Sequence, residues 1–161
     1  MGRLLRLRRR RKRFRSPPVW LLIGGVVAGL GLVALVPSQS KSTAGQAEFW
    51  LCGWAHRQNC VIDGDTIRYR GVKIRLADVD APEISEPKCT SEAALGQRAK
   101  HRLLELMNAG PFELIQIGGH DQDGYGRKLR TVMHHGRSLG DTLISVGLAR
   151  RWDGARRSWC G

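Results

Sequence analysis

Val19 to Val36 runs for eighteen residues without a charge, and a segment of that kind divides the chain before anything else can be asked of it. As a helix rising about 1.5 Å per residue it nearly crosses a hydrocarbon core of roughly 30 Å. It is read as a transmembrane signal-anchor over 19–36, preceded by a basic arm at 1–18 and followed by a polar linker at 37–48. A cleaved signal peptide has a shorter apolar region, about 7–15 residues, with a small-residue cleavage site close behind. Here the best such site, Gly45-Gln46-Ala47, lies well downstream, so an anchor is expected, with a secreted form if the segment is trimmed. Residues 49–161 remain for one compact domain, since single domains usually need about 100–150 residues, and a second enzyme domain has no room.

The formal charge of +13 suggests nucleic acid as a partner, yet nine of the 27 basic residues lie in the arm at 1–18. Without them, 18 basic residues face 14 acidic ones. The charge is therefore mainly a property of the arm, and it orients the chain: basic residues crowd the N-terminal flank of the apolar run, while the other flank offers only Lys41. The domain is expected outside the cytoplasm, periplasmic or extracellular. Four cysteines, Cys52, Cys60, Cys89 and Cys160, fit such an oxidising compartment, and their spacing matches no zinc pattern. Two disulfides are expected. Three connectivities are possible; adjacency favours Cys52 with Cys60, leaving Cys89 for Cys160.

Along the domain, Asn59 to Ala77 alternates like hairpin-connected strands turning at Asp63-Gly64 and Arg70-Gly71, and Pro82 ends the ladder because it lacks the donor a central strand needs. Ser91 to Ala109 has Leu95, Ala99, Leu103 and Leu106 at helical spacing, with Gly110 as a stop. Pro111 to Ile117 and Lys128 to His134 are β-prone, and Leu139 to Ala149 predicts a second helix. This order, strands, helix, strands, helix, predicts an α+β domain that is mainly β, a small closed sheet with helices packed outside. No internal repeat is present.

The chemistry concentrates in VIDGDTIRYRGVKIRLADVDAPE, where Asp63, Asp65, Asp78, Asp80, Glu83 and Arg75 fall within a hairpin and the turn that ends it. Carboxylates converging on one point repel each other and ionise together only when solvated or neutralised by a hard cation such as calcium. The competing reading is turn chemistry, because Asp-Gly is a common turn dipeptide and acids at strand ends are usually solvated. Residues alone leave both open.

The string Asp63-Gly64-Asp65-Thr66, then Arg75 to Glu83, RLADVDAPE, then Asp123-Gly124-Tyr125-Gly126-Arg127, resembles the staphylococcal nuclease (thermonuclease) family in order and spacing over roughly 59–152. The resemblance implies a five-stranded OB-type barrel with packed helices. It implies Asp65 and Asp80 as carboxylate ligands of Ca2+, with the carbonyl of Ala81 as a further ligand. Glu83 matches the family's proposed general base, and Arg75 and Arg127 match its two phosphate-binding arginines. Tyr125 resembles a tyrosine near the nucleotide phosphate. The implied activity is hydrolysis of DNA or RNA phosphodiesters with little sequence preference, leaving 3′-phosphates. No obligate protein partner is expected, and the apolar run at 19–36, which lies outside the resemblance, is expected to supply membrane contact through an N-terminal helix.

Two departures stand out. Gly124 occupies the position before the loop tyrosine where the family's best-known member has lysine. Arg150-Arg151-Trp152-Asp153 replaces a tyrosine-containing stretch used for base stacking, which makes Trp152 the candidate stacking residue and leaves Trp159 to packing beside Cys160. Asp63 and Asp78 are read as turn and surface acids, and the five histidines as solvated. Arg150, Arg151, Arg156 and Arg157 could track a phosphate backbone or form an exposed basic tail. The alternative to a nuclease is a non-catalytic OB module that binds nucleic acid or a protein, but such a module has no need of three acids and two arginines together.

Overall fold

The computed structural model describes residues 41–160; the arm and signal-anchor expected over 1–36 lie outside the described residues. In chain order the elements are β1 (Ser42–Gly45), β2 (Trp50–Leu51), β3 (Cys60–Asp63), β4 (Thr66–Tyr69), β5 (Val72–Leu76), β6 (Val79–Asp80), α1 (Thr90–Asn108), β7 (Phe112–Ile115), β8 (Lys128–His134), β9 (Arg137–Ser138), α2 (Leu139–Ser145) and β10 (Arg150–Arg151). The domain is α+β: a mixed eight-stranded sheet in the order β1-β7-β8-β5-β4-β3-β2, with β9 on β8, a two-stranded β10-β6 pair, and two helices.

The three strands β3, β4 and β5 form the expected antiparallel meander, turning at Arg70 and Gly71, both with positive φ. β5 then pairs in parallel with β8, aligning Arg75 with Leu129. The two ends of the sheet order, β1 and β2, are consecutive in the chain. A flat sheet would hold them six spacings of about 4.8 Å apart, roughly 29 Å, whereas the five Cα steps from Gly45 to Trp50 reach at most about 18 Å. The sheet therefore curls on itself, and Phe49, Tyr69 and Phe112 meet inside it with ring centroids 5.2–6.1 Å apart.

β1 corrects the expected linker at 37–48. Ser42 to Gly45 are small and polar, but they pair antiparallel with β7 through four registered positions, Ser42 to Ile115 down to Gly45 to Phe112. Backbone groups alone make that ladder, so side-chain composition gives no sign of it. The folded part accordingly starts before Phe49, which itself exchanges hydrogen bonds with the Asn108 side chain at 2.8 and 2.9 Å.

Helix α1 buries Glu92, Gly96, Ala99, Leu103 and Met107, so the stripe expected along Leu95, Ala99, Leu103 and Leu106 is rotated slightly, with Leu95 and Leu106 at its edges. Helix α2 ends at Ser145, short of the expected Ala149. Leu148 donates to the Leu143 carbonyl at 2.9 Å and Gly147, at φ 71°, to that of Ile144 at 3.0 Å, the paired bonds of a Schellman stop. Leu148 and Ala149 then bury, and β10 follows where the helix had been expected to continue. The four cysteines form Cys52–Cys60 and Cys89–Cys160.

Candidate functional site

The β3–β4 turn begins the site. Asp63 Oδ1 accepts the Asp65 amide at 3.0 Å, an Asx turn that projects Asp65 inward, where it is 4% exposed. Burial, and next the neighbouring Asp65, push the Asp63 carboxyl up to about 6. Asp65 Oδ1 accepts from the Thr66 hydroxyl at 2.8 Å, and its Oδ2 accepts the Ala81 amide at 3.3 Å. Asp80 comes from β6, held beside β10 by the pairing of Arg150 with Asp80, and is also 4% exposed. Burial raises its carboxyl above the usual range, opposed first by Arg156.

Arg75 lies between these acids at 6% exposure. Its Nη1 donates to the carbonyls of Leu76 at 2.7 Å and Val79 at 3.0 Å. Its Nη2 is 3.2 Å from Asp65 Oδ2 and 3.8 Å from Asp80 Oδ1, yet it is aligned to donate to neither, and Asp80 Oδ1 has no hydrogen-bond partner among the described residues. A buried donor and a buried acceptor left unsatisfied side by side cost free energy that a bound ligand would recover. The guanidinium carbon of Arg75 stands 5.1 Å from the centroid of the Trp152 ring. Trp152 reaches this point because β10 pairs with β6 and its own amide donates to the Asp78 carbonyl at 3.0 Å.

An open cavity of about 870 Å³ lies over Arg75 and collects Glu83, Tyr125, Arg127, Trp152 and Arg156 on its walls. Arg127, one residue before β8, donates through Nε to Asp123 at 2.6 Å and stacks 5.5 Å from the centroid of Tyr125, whose own ring is 89% exposed. Glu83 is set by α1: the buried Glu92 accepts the Lys88 amide at 2.7 Å and the Glu83 amide at 3.5 Å. Gly96 lets this loop lie on the helix, since a Cβ there would stand 2.8 Å from the Pro82 carbonyl and 3.1 Å from that of Glu83. Of the expected site residues, Arg75, Glu83, Tyr125, Arg127 and Trp152 line this cavity, while the buried Asp65 and Asp80 meet it through Arg75 and Ala81 adjoins them through its amide bond to Asp65.

Residues 73–158 match the family described as staphylococcal nuclease homologue. The chain belongs to that family. Endonuclease YncB of Bacillus subtilis is 41% identical over 93 residues, covering 55% of this chain and 44% of that protein. SPbeta prophage-derived endonuclease YokF of the same organism is 38% identical over 93 residues, covering 55% and 31%, and micrococcal nuclease of Shigella flexneri is 37% identical over 76, covering 45% and 38%. The chain thus spans less than half the length of these relatives. Within the staphylococcal nuclease homologue match fall Arg75, Asp80, Ala81, Glu83, Tyr125, Arg127 and Trp152, while Asp65 precedes it.

Sequence reasoning missed Glu92 in this nuclease-family site and left Arg156 and Trp159 in a tail away from the acids. Arg156 pairs with Glu83 and lies 3.8 Å from Asp80; Trp159 donates to Asp80 Oδ2 at 3.3 Å; Glu92 holds the Glu83 loop. The pairing of Cys89 with Cys160 carried the available signal, because it brings the tail next to the segment bearing Glu83. The basic tail is exposed, as expected, but its arginines are paired: Arg150 lies over Trp159, Arg151 pairs with Asp141 and Arg157 with Asp153. Asp78 accepts from the Ser138 hydroxyl at the cap of α2. His134 departs from the solvated expectation, its Nε2 being buried without a partner among the described residues and its ring resting on His135.

Proposed function

We propose that this chain is a calcium-dependent phosphodiesterase of the staphylococcal nuclease type. It hydrolyses DNA or RNA with little sequence preference and leaves 3′-phosphates, on an OB-type barrel held outside the cytoplasm by the N-terminal apolar segment. The observation that carries the reading is the buried, unsatisfied pair Arg75 Nη2 and Asp80 Oδ1, flanked by Asp65, beneath a cavity that also presents Glu83 and Arg127. The donor set fits a hard divalent ion: the carboxylates of Asp65 and Asp80, with the Ala81 carbonyl, are all oxygens. Calcium, when bound, would neutralise these acids and favour charge build-up on the phosphate.

The chain's own groups account for the remaining steps. Arg75 and Arg127 hold the non-bridging oxygens of one phosphate, their planar forks suited to two oxygens at a time and preset by Leu76, Val79 and Asp123. Glu83 accepts a proton from the attacking water as its oxygen bonds to phosphorus. The bond from phosphorus to the 5′-oxygen breaks, that oxygen takes up a proton, and the phosphate stays on the 3′ side. Trp152 offers a ring to an adjacent base, and Tyr125 a hydroxyl to the phosphate. The two disulfides support a domain that works in an oxidising compartment.

The test compares cleavage of labelled DNA and RNA by the full chain in calcium and in chelator, and by Glu83→Gln in calcium. Cleavage is expected in calcium alone, falling about 10²–10⁴-fold in Glu83→Gln, the usual worth of a positioned base. Binding without cleavage under every condition would instead establish the non-catalytic OB module.

A further inference from the structure

The C-terminal strap after β10 runs across the acids just described. Gly154 and Ala155 form a bend, Gly154 at φ 98°, and beyond it Arg156 extends one nitrogen to Glu83 and another to within 3.8 Å of Asp80. Three attachments hold the strap there. Trp159 donates to the second oxygen of Asp80, Arg150 stacks on the Trp159 ring at 3.8 Å, and Cys160 is bonded to Cys89 at the start of α1. A guanidinium four residues from a covalent tether cannot diffuse away, so its effective concentration at the site stays high. Its side chain is nevertheless 46% exposed, against 6% for Asp80, so Arg156 can swing out while the acids stay buried.

We infer that Arg156 is a built-in cation that competes with the metal for Asp80 and Glu83, and that the Cys89–Cys160 tether keeps it in contention. This rests on the metal-binding reading of Asp65 and Asp80 proposed above. One guanidinium can pair with both carboxylates in the metal-free protein and offset one of their two charges, but it holds the oxygens that the ion needs and the oxygen of Glu83 that would take a proton. A divalent ion carries twice the charge on a smaller radius and displaces it, sending Arg156 toward the cavity where a substrate phosphate would lie. The strap thus sets the metal affinity: apparent affinity is the intrinsic value reduced by the fraction of molecules with the site open.

Calcium binding by the full chain, measured by calorimetry without substrate, tests this. Arg156→Gln should bind calcium roughly threefold to tenfold more tightly, the gain expected if about 70–90% of the metal-free molecules are closed. Arg156→Lys should fall between Gln and parent. The double change Cys89→Ser with Cys160→Ser should also tighten binding, and adding Arg156→Gln to it should gain little more, because both act on the same closed state. Equal or weaker calcium binding by Arg156→Gln, alongside measurable binding by the parent, overturns the competition while leaving the metal site standing. No calcium binding by either chain overturns the metal reading and this inference with it.

Discussion

Arg75 makes two kinds of contact that a lysine could not reproduce together, carbonyl bonds from Nη1 and ionic contacts from Nη2 to Asp65 and Asp80. Arg75→Lys keeps the charge and loses the fork, so turnover should fall about 10²–10³-fold, as when one preorganised donor is removed from developing charge. Single-turnover cleavage at a temperature where both proteins are fully folded would measure it; parental rates would remove Arg75 from the chemistry. Asp63 gives a prediction of opposite sign. Its folded-state carboxyl, at about 6 against 3.8, binds its proton more tightly than in the unfolded chain. The ionised form therefore costs stability above pH 6, the cost shrinks as pH falls toward 3.8, and it is gone below. Asp63→Asn, which keeps the acceptor of the Asx turn, should gain roughly 1–3 kcal/mol at pH 8 and nothing at pH 3.5, read from urea midpoints. Calcium should narrow the gap at pH 8 by neutralising the same cluster.

At the scale of elements, what could be read depended on whether a segment's structure is carried by side chains or by backbone. The meander, α1 and β8 have apolar periodicity, and the expected positions agree with the observed ones to within a few residues. β1 has none: Ser42 to Gly45 read as linker because their order comes from bonds to β7, a strand seventy residues away. The early end of α2 had a local sign, Gly147, outweighed by the apolar run through Leu148 and Ala149, which buries after the helix stops. The acids and arginines were legible because three motifs kept their register, whereas Glu92 lies in none of them. Gly96 tests how α1 sets Glu83. Helix propensity alone makes Gly96→Ala stabilising by about 1 kcal/mol. The approach of the Pro82 and Glu83 carbonyls reverses that sign: the substitution should cost roughly 1–3 kcal/mol and lower cleavage by displacing Glu83. A thermal midpoint equal to or above the parent's would show that the loop yields freely.

Over the whole domain, the two disulfides constrain very different lengths of unfolded chain, and this separates their contributions to stability. Cys52–Cys60 closes a loop with a sequence separation of 8, while Cys89–Cys160 has a separation of 71 and joins the start of α1 to the end of the chain's last described segment. Loop-closure entropy gives about 2.6 kcal/mol for the first and about 4.4 kcal/mol for the second at 25 °C. The long bridge also encloses β7, β8, α2 and β10, which position Arg127, Trp152 and the strap, so its loss loosens the hold of the strap on the site. Replacing both cysteines of the long bridge by serine should therefore lower the denaturant midpoint more than the same change in the short one, by about 1–2 kcal/mol. The metal arm gives this comparison its force. If Arg156 is the tethered competitor, the serine variant of the long bridge is the less stable protein without calcium and recovers more stability when calcium is added, because tighter binding to the native state stabilises it by mass action. Loss of stability with no larger recovery in calcium would leave the bridge a purely structural staple.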